Sequence, residues 1–177
     1  GRLNSEKKFQ TLLDRSINLK KGEIVFLNHD NEVINLAGII GGKNSACDNN
    51  TKSVLIECAY FNSEMIIGNA LKHSINSDAA HKFERNTDPS CHDYVLRRFL
   101  KIIEDHTNII SAEIYTERFI DIKKIIIKYD IQQINKILGT NIDNEMLIDC
   151  MSNLGFEIIR NEIYVPDHRH DIKSIND

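Results

Sequence analysis

One glutamate stands alone in an apolar run, Val54-Leu55-Ile56-Glu57-Cys58-Ala59. A carboxylate there is costly to bury unless it is paired or used. Glu57 is therefore either an edge-strand side chain facing water or an acceptor set in a pocket. Upstream lies Gly38-Ile39-Ile40-Gly41-Gly42, whose spacing fits no phosphate-loop template. It is either a tight turn after a strand or a place where backbone must approach a ligand closely. Near the C-terminus, Asp167-His168-Arg169-His170-Asp171 puts His168 and His170 on one face of an extended segment. Two histidines without a third ligand do not make a zinc site, so a hydrogen-bonded surface or interface segment is expected and no metal. The chain has no P-loop, G-x-G-x-x-G, G-x-S-x-G or H-E-x-x-H, and no nucleophile with a base beside it.

The elements that must position these residues follow from patterning. Lys8 to Leu13, Glu23 to Leu27 and Val33 to Gly38 read as strands of β-hairpins, with Asn28-His29-Asp30-Asn31 as a polar turn. Ser53 to Cys58 has strand length. Ser63 can cap a helix through Leu71, and Asp78 to Arg85 forms a short helix. Asp88 before Pro89 is a helix start, and Val95, Leu96, Phe99, Leu100, Ile102 and Ile103 then follow helical spacing. Ser111 to Tyr115 is expected as a strand closing the first unit. The second unit opens with a strand in Ile120 to Tyr129. Asp130 and Asp143 cap two helices stopped by Gly139 and Gly155, and Phe156 to Ile159 pairs with Glu162 to Val165 around Arg160-Asn161. Strand, helix, turn, helix, hairpin is a winged-helix-like order. The expected fold is α+β: a mixed-sheet domain over 1–118, then a small winged-helix-like α+β domain over 119–177.

At 177 residues the chain can bury a real core without metals or disulfides. It holds 29 Ile against 5 Val, which inflates apparent strand propensity. Cys47, Cys58, Cys91 and Cys150 form no C-x-x-C pair, so buried thiols without disulfides in a reducing cytoplasm are expected. No apolar stretch is long enough for a membrane span. The net charge is −4, against a general polyanion-binding module. Residues 1–118 carry 15 basic and 16 acidic groups, and 119–177 carry 7 and 10. The helix-turn-helix-like unit is thus net acidic and a poor reader of DNA.

Five strings in order carry a family resemblance. Leu36-Ala37-Gly38-Ile39-Ile40-Gly41-Gly42 is followed by Leu55-Ile56-Glu57-Cys58-Ala59-Tyr60-Phe61-Asn62, then by Ser77-Asp78-Ala79-Ala80-His81-Lys82-Phe83-Glu84-Arg85 with Thr87-Asp88-Pro89. Leu154-Gly155-Phe156 and Val165-Pro166-Asp167-His168-Arg169-His170-Asp171-Ile172 come last. The chain resembles the β subunit of bacterial phenylalanyl-tRNA synthetase, across its editing domain and the small domain after it.

The resemblance implies hydrolysis of mischarged Tyr-tRNA(Phe), within a cytoplasmic α2β2 ligase that joins phenylalanine to tRNA(Phe). It places Glu57 on the tyrosine hydroxyl and puts Ser77, Ala79, Gly41 and Gly42 in the editing pocket. Lys72, Lys82 and Arg85 are either contacts to tRNA phosphates or, more simply, solvated charges, while Glu84 and Arg85 read as structural. ATP and Mg²⁺ belong to the parent's catalytic core, so no cofactor is expected here; no DNA and no membrane is implied. Ser77 stands where the family has threonine, and Asn86 where it has glycine. The family's Leu-His-Ala-Phe-Asp segment would lie before Gly1, so the editing domain is expected to be incomplete at its N-terminus. The alternative from another class is a non-catalytic module for subunit contact and tRNA docking.

Overall fold

The computed structural model describes all 177 residues. Its contacts divide the chain into two units, Gly1–Thr87 and Asp88–Asp177. Both are α+β, and every strand pairing in them is antiparallel.

The first unit opens with a hairpin. Strands β1 (Lys7–Gln10) and β2 (Ser16–Leu19) pair with Phe9 opposite Ile17. Thr11, fully buried, closes the turn: its hydroxyl donates to the Arg15 carbonyl at 3.1 Å and accepts from the Arg15 amide at 3.3 Å. A three-stranded sheet follows, β3 (Val25–Leu27), β4 (Val33–Leu36) and β5 (Ile40–Gly41). The β3–β4 turn forms because the Asn28 side chain accepts from the amides of Asp30 and Glu32 at 3.0 and 2.8 Å, an Asx turn that replaces backbone partners. Gly38 takes φ +69° between β4 and β5, and a Cβ there would meet Ile66 at 3.0 Å and Phe61 at 3.1 Å.

Asn62, rather than Ser63, caps α1 (Ser63–Ile66), accepting from the Glu64 amide at 3.0 Å. The expected helix through Leu71 breaks in two at Gly68, whose φ is +79°, and resumes as α2 (Asn69–Lys72). α3 (Asp78–Phe83) follows. One core binds the unit: Phe9, Leu19, Val25 and Leu36 from the strands against Ile66, Ala70, Ile75 and Ala80.

The second unit holds α4 (His92–Glu104), then β6 (Ile126–Lys128), α5 (Ile131–Leu138), α6 (Asn144–Asn153), β7 (Glu157–Ile159) and β8 (Glu162–Tyr164). Strand order is β6-β8-β7. Asp130 and Asp143 cap α5 and α6, accepting from Gln132 and Met146 amides at 3.0 and 2.9 Å. Gly139 and Gly155 end them at positive φ. Asn135 ties the α5–α6 turn through two 2.8 Å bonds to the Ile142 backbone. Ile127, Ile134, Leu147, Phe156 and Ile163 form the core.

Three expectations are corrected. Ser53 to Cys58 and Ser111 to Tyr115 form no strand, because an apolar run becomes a strand only beside a ladder partner, and none pairs with them. Asp88 does not cap α4; it accepts from the Ser90 amide and hydroxyl at 2.8 and 2.6 Å, and the helix begins three residues later behind Cys91. The thiols are not buried: Cys47 and Cys150 are exposed and Cys58 and Cys91 half-buried, with no disulfide. Cys150 is exposed although it stands three residues after the buried Leu147 on α6. The first core ends at Phe83 and the second begins at Ile125; the boundary is expected at 118/119, whereas the contacts divide the chain at 87/88 and put α4 in the second unit. No helix is long and apolar enough to cross a membrane.

Candidate functional site

A groove of about 350 Å³ opens in the first unit. β4 and β5 form its floor with Asn35, Gly38 and Gly41, the segment after Val54 brings Glu57 and Phe61, and α3 brings Ser77, Ala79 and Phe83. Gly41, Glu57, Ser77 and Ala79 thus share one groove although Gly41 and Ala79 are 38 positions apart in the chain. Gly42 does not join them. It lines a larger groove of about 530 Å³ with Phe9, Asn28 and Ser45, and that groove holds none of the other four.

Glu57 is exposed as a residue, yet protein crowds its carboxyl enough that burial raises its pKa above the ordinary carboxylate value. Its one hydrogen bond comes from Asn35, whose Nδ2 donates to Oε2 at 3.4 Å. Asn35 stands on β4 directly across from Gly41. Its own Oδ1 is buried without a hydrogen-bond partner.

Aromatic rings form one wall. Phe61 meets Phe83 edge-to-face, with centroids 4.8 Å apart and planes at 87°, and meets Phe26 at 6.3 Å and 78°. Such T-shaped pairs are favourable beyond their buried area. A planar ring entering the groove would lie against carbon here and find a carboxylate at Glu57.

Ser77 is more structural than its position in the groove suggests. It caps α3, accepting from the Ala80 amide at 3.1 Å, and donates to the Ile39 carbonyl at 2.6 Å. The single hydroxyl proton is spent, so toward a ligand Ser77 can only accept.

The glycine pair also answers to internal packing. A Cβ on Gly41 would meet Leu12 at 2.9 Å, and one on Gly42 would meet the Ile34 carbonyl and the Phe9 ring, both at 2.9 Å. The Gly42 amide donates to the Ile34 carbonyl at 2.8 Å, so it is closed as a donor to a developing oxyanion.

Of the three candidate phosphate contacts, Lys72 is committed to Glu23 through its Nζ. Arg85 donates to the His81 carbonyl at 3.0 Å and is exposed. Lys82 is exposed. Glu84 accepts from the Gly68 amide at 3.3 Å, a structural role.

In the second unit, Arg169 forks onto Asp171 at 2.9 and 2.8 Å and stacks over Phe156, 5.3 Å from the ring centroid. The guanidinium draws the Asp171 pKa down to about 2. No three His, Cys, Asp or Glu side chains in either unit are grouped to hold a metal ion.

The sequence reading missed Asn35, Phe61 and Phe83 as lining residues. The two phenylalanines stood within the family strings, and their aromatic character was the available signal. Asn35 gave none, because only the β4–β5 register brings it to Glu57.

The B3/4 domain family matches residues 2–108. The phenylalanine–tRNA ligase β subunit of Pseudoalteromonas translucida (strain TAC 125) is 28% identical over 171 residues, covering 92% of this chain and 21% of that protein. The β subunit of Francisella tularensis is 27% identical over 171 residues, with 92% and 22% covered. That of Geobacillus kaustophilus is 29% identical over 172 residues, with 92% and 21% covered. The chain spans about a fifth of the length of these curated relatives. The chain belongs to the B3/4 domain family, and its likeness to the phenylalanyl-tRNA synthetase β subunit, read first from its motifs, holds over nine-tenths of its length.

Proposed function

We propose that the first unit is an editing hydrolase for tyrosine esterified to tRNA(Phe). The observation that carries this reading is the meeting of Glu57 with an aromatic wall in one groove. Tyrosine differs from phenylalanine by one hydroxyl. A carboxylate accepting that phenol proton gains about 1.5–3 kcal/mol net as a charge-assisted bond. Phenylalanine would press its ring edge against the same carboxylate and leave it desolvated and unpaired. A site built around a substrate hydroxyl rejects the analogue lacking it by about 10⁴-fold or more.

Phe61 and Phe83 support the ring, and Ala79 keeps the rim low. Ser77, with only acceptor capacity left, suits the amino group of the aminoacyl ester better than its carbonyl. No side chain in the groove pairs a nucleophile with a base, so a positioned water attacks the ester carbonyl, aided by the tRNA itself. Lys82 and Arg85, both exposed beside α3, are proposed to meet phosphate. The parent ligase, with its α subunit, ATP and Mg²⁺, works in the cytoplasm in this reading and supplies the rest of the tRNA surface.

The test is deacylation of Tyr-tRNA(Phe) and Phe-tRNA(Phe) by the full-length protein and its Glu57→Ala variant. Loss of the preference for the tyrosyl ester is expected. Equal preference in both proteins would remove Glu57 from the site.

A second reading is favoured by α4. Tyr94, Val95, Phe99 and Ile102 are all exposed on it, and the helix buries nothing. This is the face of a contact module, and subunit docking by the second unit is compatible with editing by the first.

A further inference from the structure

We propose that Asn35 is a positioning residue for Glu57, holding one carboxylate oxygen so that the other stays free to accept from a phenolic hydroxyl. The inference rests on the editing reading for its substrate, but the pair itself is a matter of geometry. Asn35 Nδ2 donates to Glu57 Oε2 at 3.4 Å, and Glu57 has no other hydrogen bond. The segment carrying Glu57 forms no strand or helix, so no backbone ladder fixes where its side chain goes. Asn35 sits on β4, held in register opposite Gly41. The pair therefore links an irregular segment to a sheet.

Two further facts favour a functional over a packing role. The Asn35 Oδ1 is buried with no partner, and an unsatisfied buried acceptor is a cost that an apolar residue at the same site would not carry. Asn35 is also the only donor acting on the charged form of Glu57, whose pKa burial raises. A donor to the carboxylate favours the ionised, accepting state. Without it, Glu57 spends more of its time protonated, and it then donates where the substrate hydroxyl needs an acceptor.

The chemical class recognised is thus a phenol, read by a carboxylate whose charge and aim depend on a neighbouring amide. Asn35 touches no reacting atom; it acts through Glu57.

The test is a ¹³C NMR titration of the Glu57 side-chain carboxyl in the 177-residue chain, comparing wild type with Asn35→Ala and the isosteric Asn35→Asp. Both variants lose the donor, and Asn35→Asp adds a like charge. The Glu57 midpoint is expected to move upward in Asn35→Ala and further upward in Asn35→Asp. In parallel, the full-length Asn35→Ala protein is assayed on Tyr-tRNA(Phe) and Phe-tRNA(Phe) against pH. Its preference for the tyrosyl ester is expected to fall about tenfold, and to fall further toward acid pH, where Glu57 without its donor protonates sooner than in wild type. A purely structural asparagine would lower activity on both esters alike and leave the pH profile in place. A Glu57 midpoint unchanged in both folded variants overturns the proposal. A shifted midpoint with no ester hydrolysis by wild type upholds the Asn35–Glu57 coupling and overturns the editing reading instead.

Discussion

Glu23 and His73 meet at 2.8 Å, Oε1 to Nε2, with only 5% and 7% of their side chains exposed. Glu23 lies just before β3 and His73 just after α2, so this contact, 50 residues apart in sequence, staples sheet to helix. The Lys72 ammonium binds the same oxygen, and the Lys20 amide donates to the other at 2.9 Å. Burial alone would raise the Glu23 pKa. Lys72, the Lys20 amide and His73 together outweigh it and hold the carboxyl below the ordinary glutamate value of 4.5.

That balance fixes a pH dependence. A depressed carboxyl stabilises the fold above its unfolded value, and the contribution is lost as pH falls through the folded one. The first unit should therefore weaken on acidification below about pH 4.5, the ordinary value of the unfolded group. Glu23→Ala should lower stability at neutral pH by about 2–4 kcal/mol, short of a fully sealed pair because Lys72 is 45% exposed. Denaturant melts at pH 7 and pH 4 read both effects: the variant's deficit should shrink at the lower pH. A deficit independent of pH would assign the loss to packing.

Glu57 shows the opposite sign. Its pKa is raised by burial, so ionisation costs stability as pH rises through that value. Glu57→Gln should be at least as stable as wild type at pH 7 while the preference for tyrosyl over phenylalanyl ester falls by about 10- to 100-fold, the worth of one charged hydrogen bond. Function and stability then pull apart at one side chain, as expected where a site is built against the fold's own preference. A less stable Glu57→Gln protein with preference intact would make the residue structural.

Why some of this was legible and some not comes down to range. The α5 and α6 helices were readable because Asp130, Gly139, Asp143 and Gly155 act within one turn of the residues they cap. The β7–β8 hairpin was readable because its turn is local. Ser53 to Cys58 was misread because a strand needs a partner that its own residues do not name. The groove was legible only through the family strings. Nothing in Asn35 itself points to Glu57, 22 residues away, and Lys72 looked like a surface cation until α2 brought it to Glu23.

Ser77 separates capping from recognition. Ser77→Ala removes the bonds to Ala80 and Ile39 and should cost about 1–2 kcal/mol as a lost cap with an orphaned carbonyl. Ser77→Thr keeps the hydroxyl and should stay within about 0.5 kcal/mol, since threonine caps nearly as well. If the residue's role is mainly to hold α3, ester hydrolysis should track stability across the pair. Thermal melts beside deacylation rates decide this, and a Ser77→Ala protein of wild-type stability would contradict the capping geometry.

The adjacent glycines should respond unequally to alanine. On Gly42 the new methyl would sit 2.9 Å from the Ile34 carbonyl oxygen, a backbone atom held in the sheet, and 2.9 Å from the buried Phe9 ring. The carbonyl cannot retreat without breaking the 2.8 Å bond it accepts from the Gly42 amide, and the Phe9 ring is packed in the core, so Gly42→Ala should destabilise by about 1–3 kcal/mol as overpacking. On Gly41 the clash is with the end of the Leu12 side chain, which is 49% exposed and free to rotate away. Gly41→Ala should therefore cost under about 1 kcal/mol, as a substitution relieved by a surface rotamer. Gly41 lies in the groove with Glu57 and Gly42 does not, so the milder variant is the one expected to change ester preference through the displaced Leu12 and its neighbours. Equal destabilisation by both substitutions, measured by denaturant unfolding, would mean that the β4–β5 turn tolerates a side chain at neither place and that the glycines serve the turn alone.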